Sequence, residues 1–196
     1  MTTETPTSSE TDRPLRADAR RNRERIIESA RSVFAEYGAE AQMDDVARRA
    51  GVGVGTVYRH FPTKEALMVE LVRQKYRLFA DRMREALAED GEPFAALTRV
   101  MRRNAETAAG DAATQHALAA AGEHIWMQAR GEQEELLTLT DELIARARDA
   151  GTVRPDLRAT DIGMLMCGVC SSMSFSLPGF DWRRHLELVI DMLRPR

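Results

Sequence analysis

Between Gln42 and Glu65 the chain reads Q-M-D-D-V-A-R-R-A-G-V-G-V-G-T-V-Y-R-H-F-P-T-K-E, and Thr56, Tyr58, His60 and Lys64 bring four hydrogen-bond donors into it at close spacing. A hydroxyl, a phenol, an imidazole and an ammonium along one side of a short helix and the start of the next can each donate to phosphate oxygens. Arg59, lying among them, has the planar fork that pairs with the major-groove edge of guanine. Lys64 stands at a helix start, where exposed amides and the dipole favour an anion. This is chemistry for holding a nucleic acid, not for breaking bonds. No Ser/His/Asp triad or catalytic carboxylate pair is readable, so no catalytic residue, cofactor or metal ligand is assigned.

Those side chains need a scaffold of helices. Met43, Val46, Ala47 and Ala50 recur at three- and four-residue spacing, Gly51 suits a left-handed turn, and Val52 and Val57 can plug the space between two short helices. The pattern is a helix-turn-helix, whose second helix lies in a major groove. Upstream, Ile26, Ile27, Ala30, Val33, Phe34 and Tyr37 form an apolar stripe that Gly38 ends. Downstream, Phe61 belongs to the core, Pro62 breaks the recognition helix and Thr63 caps the next one. Met68, Val72, Tyr76, Phe79, Met83 and Leu87 carry that fourth helix to about Glu89. The head is therefore joined to the remainder by a helix and not by a flexible linker.

Residue by residue, A-G-V-x-x-G-T-V-Y-x-H-F followed by K-E resembles the DNA-binding signature of the TetR family of bacterial repressors. The resemblance implies that Thr56, Tyr58, His60 and Lys64 hold phosphates while Val54, Gly55 and Arg59 face the groove. It also brings Gln42 and Met43, at the start of the second helix, to the DNA. Three departures stand out. Gln42 replaces a capping Ser or Thr, Asp44 sits where relatives carry a base-contacting arginine, and Gly53 replaces a capping residue at the recognition helix. With Val54 and Gly55 offering little polar readout, Arg59 is the candidate for a bidentate guanine contact, and methyl contacts and DNA shape carry the rest.

The chain has 196 residues, 43% hydrophobic and 30% charged, enough to bury a substantial core. No apolar run approaches the roughly 20 residues that span a bilayer, and Met1 to Asp12 is polar and acidic, unlike a signal peptide; a cytoplasmic protein without a membrane partner is expected. Two cysteines agree with a reducing compartment. Net charge is −3, yet positive charge concentrates in residues 13–64, above all in Arg16 to Arg25, as phosphate neutralisation would require. Lys64 and Lys75 are the only lysines among 28 basic residues.

Residues 1–15 are Thr/Ser/Glu/Pro-rich and read as a disordered tail, followed by a DNA head over 16–64 and a larger domain over 65–196. After the break at Asp90 to Pro93, helical patterns run through about Glu106, then from Asp111 to Ala121 and from Gly122 to Ala150. A second break, Ala150 to Leu157, leads to Thr160 as N-cap and a helix to about Phe175; Pro178 and Gly179 precede a last helix, Trp182 to Leu193. No segment alternates like a strand, so the fold is all-α with about nine helices. The A-G-x-x-R-P-D-L stretch and the apolar helix after it resemble the SbtR-like subgroup of TetR C-terminal domains. In relatives the last two helices form a dimer bundle, and the nearly unbroken apolar run Ile162 to Phe175 asks for burial on several sides, so a homodimer is expected.

Two motifs compete with this reading. G-V-G-V-G, Gly51 to Gly55, lacks the strand and register of a dinucleotide-binding loop. Cys167-Gly-Val-Cys170 could mark a redox couple, but its mid-helix apolar setting, without a basic neighbour, suits buried small hydrophobes better. Met101, His116, His124, Trp126, Met127, Cys170 and Phe175 could line an adaptable pocket with one polar handle, although such residues fill cores more often. The expected function is repression at a pseudo-palindromic double-stranded DNA operator, relieved by a small apolar or aromatic effector. A thiol-based redox sensor or oxidoreductase at Cys167 and Cys170, and a ligand-independent regulator, are the alternatives.

Overall fold

The computed structural model describes residues 12–111, 122–173, 175 and 177–195, and all regular structure among them is helical. Nine α-helices follow in order: α1 (Asp12–Tyr37), α2 (Met43–Ala50), α3 (Val54–His60), α4 (Lys64–Ala88), α5 (Pro93–Gly110), α6 (Glu123–Met127), α7 (Arg130–Asp149), α8 (Ala159–Ser172) and α9 (Trp182–Met192). Residues 12–15, expected in the tail, are the first turn of α1. Pro14 permits this, because a first-turn N–H has no helical partner to lose.

The described residues gather into two hydrophobic cores. The first gathers Ile26, Phe34, Met43, Val46, Val57 and Phe61 from α1 to α3. The second gathers Phe94, Leu97, Leu143, Ile144, Ile162, Val189 and Ile190 from α5 and α7 to α9. Helix α4 enters both, giving Leu67, Met68, Val69, Leu71 and Val72 to the first and Met83 and Ala86 to the second. Its 25 residues span about 37 Å as one rod. Thr63 starts it as predicted: the Ala66 N–H donates to Thr63 Oγ1 at 3.0 Å.

Elsewhere the boundaries move. Helix α5 runs past Glu106 to Gly110, and residues 112–121, with His116 among them, lie outside the described residues. The helix predicted over Gly122 to Ala150 is two helices, parted at Gln128 and Ala129. The cause is tertiary: Ile125 and Ala129 are fully buried against the first core, so the chain turns there to reach it. Helix α8 begins after Arg158, not Thr160, because the Asp161 carboxylate accepts the Arg158 N–H at 3.0 Å. It ends at Ser172 and not at Phe175.

Candidate nucleic-acid interface

Gly51 ends α2 with φ 64° and ψ 37°, the left-handed conformation a glycine adopts without strain, and the Val52 N–H closes back on the Ala47 carbonyl at 3.1 Å. Arg25 of α1 donates to the Ala50 carbonyl, bracing the same corner. Val57 is fully buried between α2 and α3. That plug fixes the rotation of α3, so Val54, Gly55, Tyr58 and Arg59 point outward; Val54 and Tyr58 are the exposed large hydrophobic side chains of this helix. Arg59 Nε donates to the Gly55 carbonyl at 3.2 Å, which lays its guanidinium along the outer face. Gly55 has no atom within 4 Å of where a Cβ would stand, so a close surface can approach the backbone there.

Thr56 and His60 are half-buried on the flank of α3. Lys64 is half-buried at the first turn of α4, with Nζ 5.8 Å from the centre of the Phe34 ring. The ring holds the lysine stem against the core while its charge stays beside free helix N–H groups. The structure thus brings Thr56, Tyr58, Arg59, His60 and Lys64 onto one continuous stretch, with Gln42 exposed at the start of α2. Gly53 gives α3 no side-chain cap, and its N-terminus is open.

Met43 does not belong to that surface. It is 5% exposed and packs in the first core, because the first residue of α2 faces α1 and only its backbone lies near the outer face. Gln42 is better anchored than glutamine's capping record suggests: its N–H donates to Asp45 Oδ2 at 3.2 Å and its Nε2 to the Glu40 carbonyl at 2.9 Å. Parts of the arginine run are also structural. Arg23 bridges to Glu70 at 2.9 Å and lies 5.2 Å from the Phe61 ring centre, and Arg25 holds the end of α2. No sequence signal separates them from Arg20 and Arg21, since their partners lie on α4 and α2.

The six described residues considered for a pocket, all but His116, do not converge. Met101 is sealed in the second core, Met127 is 64% exposed, and Phe175 is 54% exposed beside Phe180. His124 is exposed and 3.3 Å from Glu65. Trp126 packs on the first core, edge-on to Tyr76 at 6.3 Å. Trp126 and Cys170 share a neighbour, Lys75 of α4, whose Nζ is 5.4 Å from the Trp126 ring. Cys167 is exposed and Cys170 half-buried, so neither is the buried small hydrophobe expected. Cys170 does have a basic neighbour, but burial pushes its thiol up, Lys75 opposing, which speaks against a reactive thiolate. The Tyr76 phenol is pushed up to about 12 by burial and the nearby Cys167.

A cavity of about 350 Å³ lies instead between α1, α4 and α5. Leu71, Gln74, Lys75, Leu78 and Phe79 of α4 line it with Arg31 of α1 and Thr107 and Ala108 of α5; none of the six described candidates does. Sequence periodicity could not reveal it, because a cavity is where three helices fail to meet. No helix among the described residues is long and apolar enough to cross a membrane.

Comparison with known proteins bears on the same two halves. Residues 26–71 match the bacterial regulatory proteins of the tetR family, and residues 92–195 match the C-terminal domain of SbtR-like transcriptional regulators. A TetR transcription regulatory protein from Mycobacterium vanbaalenii is 40% identical, the likeness covering 92% of this chain and 99% of that one at a TM-score of 0.66. A TetR transcriptional regulator from Streptomyces coelicolor is 34% identical, covering 88% and 98% at 0.62. FadR from Bacillus subtilis, solved in complex with stearoyl-CoA, shares the fold at 0.71 with 23% identity over 87% of this chain and 98% of its own. The fatty acid metabolism regulator protein of Bacillus subtilis is 34% identical over 87 residues, 44% of this chain and 45% of that one. The chain spans less than half the length of the curated relatives it matches. With a helix-turn-helix head, a donor row on its outer face and near full-length likenesses among solved regulators, the chain belongs to the TetR family of bacterial transcriptional regulators.

Proposed function

We propose that this regulator is a ligand-responsive repressor, gripping a pseudo-palindromic operator as a homodimer and releasing it when a small, largely apolar molecule occupies the larger domain. The observation that carries the reading is the outward row of Val54, Tyr58 and Arg59 on α3, continuous with Lys64 at the start of α4. Tyr58 and Lys64 donate to phosphates, and Arg59 reads a base edge.

Dimerisation is supported by what α8 and α9 leave uncovered. Met164 of α8 is 75% exposed, and Leu188 and Met192 of α9 are about half exposed, a patch too apolar for a free face. A second copy covers it and sets two heads at a fixed spacing, about 34 Å or a small multiple, to match two half-sites. An occupant of the larger domain acts through α4, the rod shared by both cores. It releases DNA by favouring a spacing the operator does not fit, which needs only different affinity for two arrangements. A long apolar chain in the effector agrees with FadR, a neighbour in fold solved with stearoyl-CoA.

Selection of fragments from the source genome by the full-length protein tests the reading. Enrichment of a two-fold symmetric site near a promoter is the expected result, and recovery of unrelated fragments with no shared site would overturn it.

A further inference from the structure

We infer that the cavity between α1, α4 and α5 takes a neutral, largely apolar molecule bearing a carbonyl or ether oxygen, and that the side-chain amide of Gln74 donates to that oxygen. The inference deepens the ligand-responsive reading and rests on it for the consequence of binding. At about 350 Å³ the cavity is within the range of small-molecule sites. Leu71, Leu78, Phe79 and Ala108 give it an apolar body, and Leu78, 39% exposed, is a large apolar side chain that the three helices leave uncovered.

Gln74 stands in the same wall with its amide already turned. Arg31 of α1 donates through Nη2 to Gln74 Oε1 at 2.6 Å. A guanidinium can only donate, so chemistry decides which end of the amide faces α1. The Nε2 end, with two N–H groups, has no hydrogen-bond partner among the described residues; Gln74 is half-buried, and this nitrogen stays open to solvent. A side chain held at one end and unpaired at the other is a preset donor, and an acceptor oxygen that reaches it orders little that is not already ordered.

The charges around Gln74 argue against a charged head. Arg77 is bound to Glu70 and Glu132, Asp81 to Arg84 at 2.6 Å, and Arg31 also lies 3.8 Å from Glu28. Lys75 is held between the Phe79 and Trp126 rings, 5.7 and 5.4 Å from their centres, with Asp111 in its field, and neither it nor Arg31 is free. An ion entering here would have to draw one of these groups from its partner and lose its own hydration, whereas a neutral oxygen disturbs no pair. The occupant also sits against the Arg31–Gln74 bond, one of the links between α1 of the DNA head and the rod.

Three naphthalenes of similar size are the probes: 2-acetylnaphthalene has a neutral acceptor oxygen, 2-ethylnaphthalene has none, and 2-naphthoate is an anion. Each is equilibrated with the full-length protein across a dialysis membrane. The wild type is expected to bind the ketone about fivefold more tightly than the hydrocarbon, the net effect of one hydrogen bond, and to bind the anion most weakly. Gln74→Glu keeps an oxygen for Arg31 but removes the donor, so it should lose the preference for the ketone and still bind the hydrocarbon. Leu78→Trp fills the cavity and should weaken both neutral probes about tenfold or more. Absence of binding by all three, an anion bound as tightly as the ketone, or equal affinity for ketone and hydrocarbon in the wild type would each overturn the inference. So would a ketone preference that survives in Gln74→Glu, or neutral binding unchanged by Leu78→Trp. The wild-type comparison stands even where a variant does not fold. Release of operator DNA is read separately: ketone that binds through Gln74 but leaves the operator occupied keeps the site and removes the ligand-responsive reading.

Discussion

Arg23 of α1 meets Glu70 of α4 at 2.9 Å, and Arg77 approaches the same carboxylate at 3.4 Å, so one buried acid joins the first helix of the head to the rod beneath it. Glu70 is 7% exposed at its side chain, whereas its partners are 40% and 50% exposed. Replacing the acid takes the carboxylate from Arg23 and leaves Arg77 with Glu132 alone; replacing one arginine leaves the other in place. Glu70→Ala should cost about 1–3 kcal/mol and Arg23→Ala less, after allowing for solvent screening of the arginines. Urea unfolding of both single variants and the double variant checks this; equal losses from Glu70→Ala and Arg23→Ala would show that the carboxylate is not the keystone.

On the proposed reading, the donor row makes two kinds of contact that mutation can separate. Tyr58→Phe and Lys64→Ala should weaken binding to all DNA sequences by about 1 kcal/mol each, and Lys64→Ala should lower the salt dependence by about one phosphate. Arg59→Ala should instead change which site is selected, with about 1–3 kcal/mol lost at one base pair. An unchanged selected site in Arg59→Ala would remove direct readout from that residue.

In the proposed dimer, the patch on α8 and α9 should be sensitive to charge. Met164→Glu, or Leu188→Arg, should give a folded monomer in sedimentation at micromolar concentration while the wild type sediments as a dimer. A wild type that sediments as a monomer would contradict the proposed assembly.

A pH effect follows from the clasp between α5 and α9, where Arg102 Nε and one terminal nitrogen hold the two oxygens of Glu187 at 2.7 and 2.8 Å. The hydrogen bond from Arg102 draws the Glu187 carboxyl below its ordinary value. Its stabilisation is therefore fully present above the unfolded value, about 4.3, and is lost as pH falls through the lowered folded one. With both side chains 46% exposed, the contribution stays below about 1 kcal/mol. The melting difference between wild type and Glu187→Gln should be flat from pH 7 to about pH 5 and close below that.

Local signals carried the head: Gly51 for the turn, Val57 for the plug and Thr63 for the cap act within a few residues of themselves, so their spacing was readable. Distant partners were not. Met43 was assigned to DNA on its position at a helix start, yet α1 covers it. Trp126 was given to a pocket, yet Tyr76 and Lys75, about fifty residues earlier, decide its place. Gln128 and Ala129 break a helix with neither glycine nor proline at the break, because burial of Ala129 against the head outweighs good helical propensity. Arginines of one run divided between surface and scaffold for the same reason.

The burial of Ile125 and Ala129 in the first core means that the DNA head borrows its floor from a segment sixty residues downstream of its own last helix-turn-helix residue. A chimera that grafts residues up to 64 onto another regulator's larger domain would expose Leu67-facing and Ile125-facing cavities unless the donor supplies side chains of matching shape. Head and larger domain of this chain are thus fitted to each other, and a graft is expected to keep its stability best where the short helix at Glu123–Met127 travels with the head it supports.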